Sequence, residues 1–104
     1  MPAKFIVEIT PSAEADIAEI RDYIARDSPT NAEAFVLALE EQIASLEKFP
    51  ERCSRIPENE ILGASYRHLI HGSYRTIFRM AGSRVVILRV IHGARLMDTS
   101  LFTP

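Results

Sequence analysis

Hydrophobic and polar residues alternate at the start of the chain. Phe5, Val7 and Ile9 share one side of an extended backbone, and Glu8 and Thr10 lie on the other. A two-residue period is typical of a half-buried β-strand. Residues 4–10 are therefore predicted to form the first strand.

The period then lengthens to between three and four residues, which predicts two amphipathic helices in succession. Thr10-Pro11 and Ser28-Pro29 mark the two starts, because a hydroxyl can accept free helical N–H groups and proline suits the first helical position. The second helix should end at Phe49-Pro50, and the short turn between the helices predicts an antiparallel hairpin. The apolar positions are Ala13, Ile17, Ile20 and Ile24 in the first helix and Ala32, Phe35, Val36, Leu39, Ile43 and Leu46 in the second.

After a loop over residues 51–65, the two-residue period returns in three runs. These runs cover residues 66–71, 74–80 and 84–92, and they are joined by Gly72-Ser73 and by a short segment around Gly82. Gly at the first position of a two-residue connection suits a type II′ hairpin turn, so the three runs should form an antiparallel meander. The order is βααβββ, an α+β fold in which a helical hairpin packs on an antiparallel sheet.

Composition limits the chain to one domain, residues 1–104, because 104 residues with 47% hydrophobic content can build one core. There is no apolar run long enough to span a membrane and no signal peptide at the N-terminus, so we expect a cytoplasmic protein. The single cysteine, Cys53, cannot form an intramolecular disulfide and has no histidine near it in sequence. We expect it to be structural.

Charge is distributed unevenly along the chain. Residues 1–51 hold 11 acidic and 4 basic groups, whereas residues 52–104 hold 3 acidic and 8 basic groups, although the net charge is only −2. The C-terminal half is the expected face for an anionic partner. His68 and His71 should point to opposite faces of a strand, and no carboxylate or cysteine stands at zinc-ligand spacing, so we expect no metal and no cofactor.

Four segments together resemble the RelE/ParE superfamily of toxins from type II toxin–antitoxin systems, and within it the ParE branch. They are ITPSAEADIAEIRDYIARDSP, FVLALEEQIASLEKFPERC, SYRHLIHGSYRTIFRM and VVILRVIHGAR, in the family's order and over nearly the whole chain. The resemblance implies a RelE/ParE-like toxin that forms a hetero-oligomer with a cognate, ParD-like antitoxin. ParE-like toxins act on DNA gyrase and serve in plasmid stabilization, whereas RelE-like toxins cleave messenger RNA on the ribosome.

The sequence favours the ParE-like interpretation, in which the toxin binds its target and has no catalytic residues. A RelE-like endonuclease would use Arg75, His92 and Arg95, because RNA cleavage needs a proton acceptor and cations beside the phosphate. The tyrosine that the RelE pattern places after the last strand falls at Leu101 here, and the basic loop lysines are missing. The net charge of −2 also argues against docking on RNA, and direct nucleic-acid binding stays open. A third interpretation is a degenerate toxin that only binds its antitoxin and works as a regulatory module.

Arginines on the later strands are the candidates for partner contacts. We expect them to project from the sheet face that the helices leave uncovered, in a half of the chain with few carboxylates to neutralise them. The candidate partner-binding residues are Arg67, Arg75, Arg79, Arg89, His92 and Arg95.

Overall fold

A computed structural model of the chain describes residues 4–95. The predicted order of elements is confirmed, with one short additional helix in the loop before the meander. The elements are β1 (Ile6–Ile9), α1 (Pro11–Ala25), α2 (Pro29–Ala44), α3 (Asn59–Leu62), β2 (Arg67–His71), β3 (Tyr74–Ala81) and β4 (Arg84–His92). Two single turns of 3₁₀-helix follow α2, at Ser45–Glu47 and Pro50–Arg52.

Both long helices begin as predicted. The hydroxyl of Thr10 accepts the N–H of Ala13 at 3.2 Å, and the hydroxyl of Ser28 accepts the N–H of Asn31 at 3.1 Å. Each cap is followed by a proline whose missing N–H would have had no helical partner. α2 ends at Ala44, five residues before the predicted end, and Phe49 instead marks a turn of the backbone with a left-handed φ of 50°.

The sheet has the strand order β1-β4-β3-β2. The predicted antiparallel meander of β2, β3 and β4 is confirmed, and both of its turns are two residues long with glycine at positive φ. β1 lies parallel to β4, in register from Ile6 opposite Arg84 to Ile9 opposite Ile87, so the expectation of a wholly antiparallel sheet was wrong. Alternation along β1 specifies its buried side but not its partner, and the helical hairpin supplies the long crossover that a parallel pair needs.

The main core lies between the helical hairpin and one face of the sheet. It is built from Ala13, Leu39, Ile43, Leu46, Cys53, Phe78, Val85, Ile87 and Val90. A smaller cluster of Ile56, Ile77 and Ile91 lies on the opposite face, against Leu62, Tyr66 and Leu88. The segment before β2 therefore covers part of the face that the helices leave free.

Candidate functional site

Arg75 does not project into solvent. Its side chain is only 5% exposed, and it forms a two-pronged ion pair with Glu58, which precedes α3. The same guanidinium donates to the backbone carbonyl of Arg95 at 2.6 Å and lies 3.4 Å from Nδ1 of His68. The expectation that Arg75 is free on an open face was therefore wrong, because Glu58 neutralises it from the covering loop.

Arg89 is also bound internally. Its Nε and Nη2 atoms donate to the two carboxylate oxygens of Asp16 at 2.6 and 2.8 Å. Asp16 is nearly buried on α1 and also accepts the N–H of Val90 at 2.9 Å. β1 ends opposite Ile87, so Asp16 supplies the hydrogen bond that a longer neighbouring strand would have made. The expectation of a free Arg89 was thus wrong as well.

The remaining candidate arginines differ in how far they are engaged. Arg67 is half-buried and donates through Nη1 to the carbonyl oxygens of Cys53 and Glu51, at 2.6 and 3.1 Å. Arg79 and Arg95 are exposed, and within residues 4–95 their guanidinium groups have no hydrogen-bonded or ionic partner. Within that part of the chain, these two are the candidate arginines whose side chains have no partner, whereas Arg67 is engaged by carbonyl oxygens alone.

His92 lies in a row of rings at the end of the sheet. Its ring packs edge-on against Tyr74 at 5.7 Å between centroids, and Tyr74 packs in turn against Phe35 of α2 at 5.4 Å. The Nδ1 atom of His92 accepts the N–H of Ala94 at 3.1 Å. A neutral imidazole has one acceptor nitrogen, so this bond assigns the hydrogen to Nε2. His92 therefore presents its Nε2–H donor to solvent, while the backbone of Ala94 occupies Nδ1.

The sheet separates His92 from Arg75. His92 is opposite Tyr74 in the β3–β4 ladder and shares its face, on the side of the helices. Arg75 follows Tyr74 directly, so its side chain leaves from the other face, where it meets Glu58. Arg75 and His92 are consequently on opposite faces of the sheet, while Arg95 lines the same hollow as His92 and accepts from Arg75 through its carbonyl.

Burial shifts the pKa values of two other titratable groups, His68 and Cys53. Desolvation, reinforced by the Arg75 guanidinium, lowers the pKa of His68 below its ordinary value, with Glu58 acting in the opposite sense. Desolvation raises the pKa of the Cys53 thiol, although Arg52 and Arg67 work against it. A raised thiol pKa makes Cys53 a poor nucleophile.

A groove runs along α1 where it passes the end of β4. One hollow of about 390 Å³ is lined by Glu19, Ile20, Tyr23, Arg26, Tyr74 and His92. A second of about 150 Å³ shares four of those residues and extends to Arg89 and Arg95.

No group of His, Cys, Asp and Glu within residues 4–95 is arranged to hold a metal ion. Neither long helix of that part of the chain has the length and apolar content to cross a membrane.

A family model described as ParE toxin of type II toxin-antitoxin system, parDE, matches residues 7–97. The chain belongs to this family. It is accordingly a toxin of a type II toxin–antitoxin system, with the ParE/RelE fold.

Relatives carry the names of both branches of the superfamily. The toxin is 35% identical over 85 residues to Toxin RelE2 of Caulobacter vibrioides, which covers 81% of this chain and 90% of the relative. Its fold resembles that in a chromosomal ParDE system from P. aeruginosa, with a TM-score of 0.66 and 24% identity over 86% of this chain and 96% of that one. It also resembles the toxin–antitoxin complex RelBE2 from Mycobacterium tuberculosis, with a TM-score of 0.57 and 24% identity over 86% and 99% of the two chains.

Two carboxylates that shape the toxin, Glu58 and Asp16, were not among the predicted site residues. Asp16 stands three positions after Ala13 and four before Ile20, which places it on the buried stripe of α1 and could have revealed its role. Glu58 is one of only three acidic residues after residue 51, so a buried arginine in that half had few possible partners.

Proposed function

We propose that the toxin acts by binding DNA gyrase and stabilising the cleaved DNA complex, and that a cognate antitoxin holds it inactive. The observation that carries this proposal is the separation of Arg75 from His92. A ribonuclease of this fold would need a cation and a proton acceptor on the same phosphodiester. Arg75 is instead paired with Glu58 on one face, while His92 offers a donor on the other.

The free edge of β1 supports the antitoxin part of the proposal. The amides of Ile6 and Thr10 donate to the carbonyls of Ser83 and Ile87, so the alternate amides of Val7 and Ile9 point to the outer edge. Ile6 is 56% exposed there, beside a groove of about 520 Å³ between β1 and the end of α2. An exposed apolar edge is a template for an added strand, which an antitoxin segment could supply as it folds on contact.

Variants at the β1 edge test the antitoxin interaction. Ile6→Glu should weaken antitoxin binding by about tenfold or more, because it adds a charge beside Glu40 and Glu47 and removes an apolar contact. Leu37→Glu is the matched control, since Leu37 is 61% exposed on α2 but does not line this groove. Equal affinities for the two variants, or the absence of any complex by size exclusion, would contradict this part of the proposal.

Induction of the toxin in cells tests the target. We expect gyrase-dependent DNA breaks and intact transcripts, and His92→Gln should keep most of the toxicity because glutamine retains an N–H donor. Transcripts cut at codons on translating ribosomes, with cutting abolished by His92→Gln, would establish the nuclease instead. Neither effect would indicate a module that only binds its antitoxin.

A further inference from the structure

The groove along α1 brings together side chains that the proposed function does not use. Asp16, Glu19, Tyr23 and Arg26 follow one another at three or four residues, so they share one face of α1. This face passes the end of β4, where the two hollows join through the residues that they have in common. The result is one continuous groove with a polar rim.

Unneutralised cations stand in both parts of this groove. Arg26 lines the larger hollow and Arg95 the smaller, and neither guanidinium has a hydrogen-bonded or ionic partner within residues 4–95. The Nε2–H of His92 lies between these parts and adds a third donor. Arg89 contributes little charge, because Asp16 neutralises it. The free donors are those that a phosphate group requires.

An aromatic ring is exposed beside these donors. Tyr23 is 64% exposed on a regular helix, although a tyrosine that served only the core would be mostly covered. Its ring is a platform of the kind on which single-stranded nucleic acids stack their bases. A base pair inside a duplex could not reach it, because both faces of each base are already stacked.

Glu19 is the carboxylate common to both hollows, and its charge also acts on Arg89. A phosphate would avoid it, but a base that carries an exocyclic amine could donate to it. The larger hollow thus contains Arg26 and Tyr23, the smaller contains Arg95, and Glu19 lines both. This arrangement fits a nucleotide chain better than an acidic peptide, which would place carboxylates along the whole groove.

We propose that the groove between α1 and the end of β4 binds single-stranded nucleic acid, with Arg26, Arg95 and the Nε2–H of His92 on phosphate and Tyr23 stacked on a base. The proposal goes beyond the proposed function, since it would hold whether or not gyrase is the target. With a net charge of −2 the toxin has little general attraction for nucleic acid, so binding should depend on this groove alone.

Fluorescence anisotropy with a labelled dC12 oligonucleotide, and with the same strand in a duplex, tests the proposal on the full-length toxin freed of antitoxin. The variant Arg26→Ala/Arg95→Ala should lower the affinity for dC12 about tenfold or more and reduce the slope of log K against log salt by about 1.4, for two lost phosphate contacts. Tyr23→Ala should lower the affinity about fivefold or more without changing that slope, whereas Tyr23→Phe should keep it. Glu19→Ala should remove a preference for dC12 over dT12.

Arg55→Ala is the control, because Arg55 is exposed, its guanidinium has no partner within residues 4–95, and it does not line the groove. It removes one positive charge, half the number removed by the double variant, and should change the affinity less than twofold. An absence of binding at low salt, equal losses in Arg55→Ala and the groove variants, or preferred binding of the duplex would overturn the proposal. Loss of antitoxin binding in the groove variants, with no oligonucleotide bound by the wild type, would assign the groove to a protein.

Discussion

Replacing Glu58 by glutamine isolates the contact that keeps Arg75 away from solvent. Both side chains of this ion pair are only 5% exposed. Within residues 4–95 the Nε atom of Arg75 already lacks a partner, so the variant would leave the guanidinium with the Arg95 carbonyl, the His68 ring and one amide oxygen. The charge itself would remain inside the protein.

Removing one partner of a buried ion pair costs about 3–5 kcal/mol, because the other charge stays desolvated. Glutamine preserves the shape and one acceptor, so we expect about 3 kcal/mol, the lower end of that range. A domain of this size has a total stability of about 5–15 kcal/mol, so the loss would be easy to detect. At an m-value of about 1.5 kcal/mol per molar urea, the unfolding midpoint should fall by about 2 M.

Urea unfolding followed by circular dichroism measures this shift, and Glu60→Gln provides the comparison. Glu60 is exposed on α3, two residues after Glu58, so its replacement should change the stability by less than about 0.5 kcal/mol. A loss below 1 kcal/mol in Glu58→Gln would mean that Arg75 reaches water in solution. The structural case against a nuclease would then lose its basis, since Arg75 would be available to a phosphate.

Three further measurements follow from buried polar groups. Asp16→Asn should lower the free energy of unfolding by about 2–3 kcal/mol, because it weakens charged hydrogen bonds to β4, whereas Asp22→Asn on the exposed side of α1 should have little effect in the same thermal melts. The lowered pKa of His68 means that the unfolded chain takes up a proton more readily below about pH 6.5, so stability should fall as the pH drops, and the fall should be smaller in His68→Gln. A His68→Gln profile parallel to the wild type would contradict this assignment. Cys53 should react slowly with a thiol reagent in the native toxin and rapidly in urea, and equally fast labelling in both would show that the thiol is not protected.

The sequence was informative wherever a local pattern controls structure. The alternation in residues 4–10, the two Ser/Thr-Pro helix starts and the Gly-Ser turns each depend on neighbouring residues alone, and all were located correctly. The partner of β1 depends instead on contacts across about eighty positions, which alternation cannot encode. This is why β1 was predicted without its parallel neighbour.

The candidate site shows the same limit. Arg75 and Arg79 lie four residues apart on β3 and carry equal charge, yet Arg75 is buried and Arg79 is exposed. The difference comes from Glu58, which a loop carries over one end of the sheet. His92 was selected from the family likeness, but its hydrogen-bonding role depends on the backbone turn at Ala94. Such roles arise from tertiary contacts that residue types alone do not specify.

The pairing of β1 with β4, the last strand to be translated, has a consequence for folding during protein synthesis. Ile6 pairs with Arg84, and the Thr10 hydroxyl donates to the carbonyl of Leu88. β1 therefore cannot pair until nearly all of the polypeptide has been translated. The helical hairpin can form early from local contacts, but its apolar side stays uncovered until then. A ribosome that stops before residue 84 should therefore release an inert, protease-sensitive fragment, which confines toxicity to finished molecules.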